Sequence, residues 1–173
     1  MAGFPPDPRA RPVPASAFRL VVFAFDGTLT AVPAIRRQAS DAAGAVMARL
    51  AAGPGGTDHR YAAVVAGEHE IRLIPVGTPV PWDLRAAGPG RPDPEGVTVA
   101  LAGLSAEFLA TVPAGLPGSV DVLALVAPGG RPECPDDLRI GLAAAEPGDD
   151  LAECWWTGLA GLRAGRRRIE LLG

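Results

Sequence analysis

Hydrophobic and polar positions divide the chain into short, fully apolar runs alternating with amphipathic stretches. Phe18 to Phe25 is almost wholly apolar and stops at Asp26-Gly27, the pattern of a strand buried on both faces of a sheet. Ile35, Ala39, Ala42, Ala43, Val46, Met47 and Leu50 recur at helical spacing, predicting a helix over 34–52. Gly53-Pro54-Gly55-Gly56 stops it. Tyr61–Val65 and Ile71–Ile74 fit either a hairpin or helical pieces, and residues 77–96 read as a Pro- and Gly-rich connection. Val97–Ala102 reads as a second buried strand, Ser105–Val112 as a short helix and Val120–Val126 as a third strand. A Pro/Gly loop, a helix over 136–145, a short strand over 152–156, a helix over 159–166 and a last strand over 169–172 follow. Such alternation predicts the α/β class, a Rossmann-like parallel sheet flanked by helices with right-handed crossovers.

Composition narrows the picture further. A chain of 173 residues, 48% apolar, holds one core with a small insertion. Residues 1–17 form a Pro-rich tail expected to be extended and flexible. The net charge of −3 implies no broad basic face, which argues against nucleic acid as a partner. Arg166-Arg167-Arg168 reads as a solvated strand entrance. All 16 basic residues are arginine, which, with the abundant Ala, Gly and Pro, suggests a high-GC bacterial genome. Without lysine, no ammonium side chain is available for catalysis. Cys134 and Cys154 have no zinc-type spacing and read as reduced cytosolic thiols. No signal-peptide pattern and no apolar run of about 20 residues is present, so the expectation is a soluble, cytoplasmic protein without membrane contact.

In α/β sheets ligands sit beyond the carboxyl ends of the strands. The first such end is Val22-Phe23-Ala24-Phe25-Asp26-Gly27-Thr28-Leu29-Thr30. It resembles the first motif of the haloacid-dehalogenase-like (HAD) hydrolase superfamily, an apolar strand followed by Asp-x-Asp-Gly-Thr-Leu-Thr/Ser, with Ala24 in place of the first aspartate. Val97–Ser105 resembles the second strand of that family, with Gly103 where a phosphoryl-binding Thr or Ser is expected. Gly130-Arg131-Pro132-Glu133-Cys134-Pro135-Asp136 resembles the Gly-Lys-Pro-x-Pro-Asp element, with Arg131 for lysine. Thr157-Gly158-Leu159-Ala160-Gly161 resembles the stretch that opens the last helix, with Thr157 for a metal-binding aspartate. The likeness is to phosphoglycolate-phosphatase-type members. It implies a core over 18–30 and 78–173, and a short cap insertion over 31–77 after the first strand. Asp149 and Asp150, which imitate the acidic fourth motif, read as a solvated loop.

In such enzymes the first aspartate attacks phosphorus, the second acts as acid and base, and Mg²⁺ offsets phosphate charge. The resemblance therefore implies a lost nucleophile at Ala24 and a retained acid/base position at Asp26. It implies substrate-binding positions at Thr28, Gly103, Ser105 and Arg131. Thr157 offers no anionic metal ligand, and Arg131 is not equivalent to an ammonium. The expectation is a catalytically inactive binding or regulatory pseudoenzyme without a cofactor, taking a phosphorylated small molecule or a partner protein. The alternative is a phosphatase with an altered site, using Mg²⁺ and a substitute nucleophile among Thr28, Thr30 and Ser105. His59 and His69 are expected at the surface, and Glu68-His69-Glu70, two carboxylates beside a histidine that could bind a metal, reads rather as a solvated turn. Of Trp155 and Trp156, one is expected in the core and one at the mouth of the site; Trp82 is a further candidate contact.

Overall fold

A computed structural model describes residues 15–86, 88–130, 140–148 and 150–171. Among them are β1 (Ala17–Asp26), α1 (Gly27–Thr30), α2 (Pro33–Ala51), β2 (Thr57–Ala66), β3 (Ile71–Ile74), α3 (Pro94–Thr111), β4 (Gly118–Leu125), β5 (Ile140–Ala145), α4 (Leu151–Arg163) and β6 (Arg168–Leu171). The six strands form one sheet in the order β3-β2-β1-β4-β5-β6. All neighbours are parallel except β2 and β3, which form an antiparallel hairpin. The α/β class and the mostly parallel, helix-flanked sheet are as expected.

β1 lies between β2 and β4, which explains its apolar run from Leu20 to Phe25: both of its faces are covered. Val21, Phe23 and Phe25 face the layer of α2 and α4, while Leu20, Val22 and Ala24 face α3. Trp155 of α4 is fully buried against Phe23 and Phe25, with ring centroids 5.3 and 6.0 Å away. Its indole N–H donates to the carbonyl of Ala124 at 3.2 Å. Trp82 is also buried, edge-on to Phe23, and its N–H donates to the Thr78 carbonyl at 2.9 Å. Trp82 is thus core rather than an exposed contact. Trp156 lies under the guanidinium of Arg49 from α2, at 4.3 Å from the ring centroid.

Four expectations are corrected. Val97–Ala102 is not a strand but part of α3. Asp93 caps that helix by accepting from Glu95 N, Pro94 occupies its first turn, and Val97, Leu101, Leu104, Ser105 and Phe108 make one buried helical face. Residues 140–145 of the expected helix form β5; 136–139 lie outside the described residues. The expected strand over 152–156 and helix over 159–166 are one continuous helix, α4, capped by Asp150, which accepts from Glu153 N at 3.3 Å. Residues 31–77, expected as a cap insertion, supply α2, β2 and β3, and β2 pairs with β1 along its whole length. Among the described residues no helix is long and apolar enough to cross a membrane.

The amino-terminal end of the sheet carries a polar row under the last turn of α4. Arg19 of β1 pairs with the buried carboxylate of Asp121 on β4 at 3.4 Å. Arg163 of α4 meets the His59 ring at 2.7 Å, and burial, then Arg163 and Arg19, hold the His59 pKa below 6.5. Burial pushes the Asp121 carboxyl above its ordinary 3.8, against the attraction of Arg19 and Arg163. The folded state therefore holds this proton more tightly than the unfolded chain. The stability it contributes is complete below pH 3.8 and is lost as pH rises through the folded-state value. Asp121→Asn removes that loss, so the melting temperature of the variant relative to wild type is expected to be higher at pH 7 than at pH 4. An equal difference at both pH values in thermal unfolding followed by circular dichroism would refute the assignment.

Candidate functional site

The carboxyl ends of β1, β2 and β4 open into a cleft of about 410 Å³ on the α3 side of the sheet. Ala24 of β1, Val64 and Ala66 of β2 and Ala124 of β4 give it an apolar wall. Pro94 and Val97 at the start of α3 form the opposite side, and the segment 126–130 after β4 closes one end. Asp26, Thr28 and Arg91 bring the polar side chains of the described lining.

The turn from β1 into α1 is built locally. Asp26 is the N-cap of α1: its Oδ1 accepts from the Thr28 backbone N at 2.8 Å and from Thr28 Oγ1 at 2.6 Å. Gly27 packs so closely that a Cβ there would lie 2.6 Å from the Ala66 carbonyl oxygen and 2.6 Å from Ala86 Cβ. The Asp-Gly-Thr sequence thus has a structural reason independent of any chemistry. Among the described residues, Asp26 Oδ2 has no hydrogen-bond partner, and Arg91 makes no ion pair.

Of the residues singled out in the sequence, Ala24, Asp26 and Thr28 come together in the cleft. Gly103 lies exposed on α3 and Ser105 is buried on the same helix, neither of them in the cleft. The Ser105 hydroxyl has no partner among the described residues, as is true of the buried Thr30 hydroxyl. Thr157 is exposed on α4, which packs on the opposite face of the sheet. Arg131, Cys134 and Asp149 lie outside the described residues. His69 and its neighbours Glu68 and Glu70 are exposed at the β2–β3 turn.

Sequence reasoning missed Ala66, Ala124 and Arg91. The parallel strand beside Asp26 is β2, and Ala66 is the residue registered against it. The position beside Asp26 on the neighbouring strand therefore carries a methyl group and no hydroxyl. Signals for the two alanines were the Ala-Ala-Val-Val-Ala and Leu-Ala-Leu runs, which mark buried strands but not their order. Arg91 stands two residues before the Asp93-Pro94 helix start, a capping signature that places it at the mouth of the sheet edge.

Mg²⁺ suits a site with one or two carboxylates plus phosphate oxygens. The described lining offers a single carboxylate, one oxygen of which is committed to capping α1. These residues do not fit the ion. Among the described residues no group of three or more His, Cys, Asp or Glu side chains converges. No family model matches the chain, and no curated protein matches its sequence.

Proposed function

We propose that this protein is a non-catalytic, HAD-like binding module of a bacterial cytoplasm, holding a small molecule in the cleft at the carboxyl edge of β1, β2 and β4. One observation carries the reading. The Ala24 methyl lines the cleft where the resemblance requires the nucleophilic carboxylate, and Ala66 and Ala124 line the same wall. An alanine cannot form a covalent phospho-intermediate, and three methyl groups offer a phosphoryl group no hydrogen bond. Asp26 persists in a role that needs no reaction, as the cap of α1. The persistence of Asp26 in the cleft also favours the second reading, a hydrolase that uses this carboxylate as a base toward water.

Turnover decides between them. The purified protein, with Mg²⁺ and a panel of phosphate monoesters, is expected to release phosphate no faster than buffer. Hydrolysis that Asp26→Asn abolishes would replace the binding reading with the enzymatic one. Asparagine caps a helix as well as aspartate, so the fold is retained in that control.

A further inference from the structure

Two opposite charges face one apolar cleft, and together they define a ligand. Asp26 presents one carboxylate oxygen, Oδ2, that is free of partners among the described residues, while Oδ1 is held by Thr28. Arg91 lines the same cleft with an exposed guanidinium that makes no ion pair among the described residues. Hydrocarbon side chains make up much of the remaining lining, among them Ala24, Val64, Ala66, Ala124 and Val97. A volume of about 410 Å³ lies in the range of small-molecule sites.

Resting on the binding-module reading, we infer that the cleft takes a small apolar zwitterion of the aliphatic amino-acid class. Its ammonium pairs with Asp26, its carboxylate with Arg91, and its side chain lies on the alanine and valine wall. Each charge of such a ligand meets its opposite at the edge of a low-polarity surface, where a charge pair is stronger than in bulk water. A phosphate dianion placed on the same wall would instead stand beside the Asp26 carboxylate. A plain hydrocarbon would leave both charged groups without a partner.

The test uses the whole chain and four probes in isothermal titration: L-leucine, leucinamide, 4-methylpentanoate and phenyl phosphate. Leucine is expected to bind more tightly than leucinamide, which lacks the carboxylate, or 4-methylpentanoate, which lacks the amine. Asp26→Asn should weaken leucine and leucinamide on the order of tenfold and leave 4-methylpentanoate unchanged. Arg91→Gln, at an exposed position that leaves the core untouched, should weaken leucine and 4-methylpentanoate and leave leucinamide unchanged. Absence of leucine binding overturns the inference while the non-catalytic reading stands. Phenyl phosphate bound without turnover and in preference to leucine overturns it as well. Phosphate release from phenyl phosphate that depends on Asp26 overturns the binding-module reading itself.

Discussion

Trp155→Ala is expected to lower the free energy of unfolding by about 3–5 kcal/mol, the usual cost of truncating a fully buried tryptophan. The indole fills the space between α4 and β1, edge-on to both Phe23 and Phe25. Removing it leaves a cavity lined by rings that cannot close around a methyl group. The loss also removes the indole hydrogen bond to the Ala124 carbonyl, which stays within the β4–β5 ladder, so about 0.5–1.5 kcal/mol is added for that bond. Because domains of this size are stable by only about 5–15 kcal/mol, the variant stands near the limit of folding. Trp156→Ala is the matched control. That ring is half-buried and stacks on Arg49, an exposed cation–π contact of about 0.5–1 kcal/mol. Urea unfolding followed by far-UV circular dichroism measures both, and equal losses would remove Trp155 from its place as the centre of the core.

The elements that sequence periodicity located are those with one dominant signal. β1 and β4 are buried on both faces and read as largely apolar runs, with Arg19 and Asp121 as the charged positions inside them. α2 has a clear stripe of alanine and valine ended by a glycine-rich turn. Where the sequence misleads, two signals compete. Val97-Thr98-Val99 has strand-like β-branching, yet the cap at Asp93-Pro94 and the recurrence of Leu101, Leu104 and Phe108 make it helix. Val99, which would be buried in a central strand, is 66% exposed on α3. Ile140–Ala145 holds three alanines, good helix formers, but packing between β4 and β6 overrides that preference. In α4, Cys154, Trp155 and Trp156 look like strand because the Asp150 cap lies upstream of the apolar segment itself.

The site is legible only where it is contiguous. Ala24, Asp26 and Thr28 lie within five residues of one another, so the chain alone brings them together. Ala66, Ala124 and Arg91 join them through sheet order and the entry into α3, neither of which a local pattern encodes. The HAD resemblance puts Gly103 and Thr157 at strand ends; both segments are helical, and both positions lie away from the cleft.

Gly27 ties the legible motif to the fold, and its replacement should be the second most damaging change. Its φ is not positive, so the requirement is space rather than backbone conformation. A Cβ would lie 2.6 Å from the Ala66 carbonyl oxygen, and that carbonyl belongs to a strand held by β1 on one side and β3 on the other. Neither side of the contact is a flexible side-chain tip, so the clash must be relieved by moving the end of β1 or the start of α1. Gly27→Val is expected to cost about 1–3 kcal/mol or more, as overpacking does. It should also displace Asp26 and Thr28, whose mutual hydrogen bonds span this residue. Gly44→Ala gives the opposite sign: a Cβ at that position of α2 would meet no atom within 4 Å, and alanine should stabilise the helix by about 0.5–1 kcal/mol. Urea midpoints of the two variants are therefore expected on opposite sides of wild type. If Gly27→Val matches wild type within error, the Asp-Gly-Thr sequence loses its packing explanation, and its presence in the cleft would have to be accounted for by chemistry at Asp26.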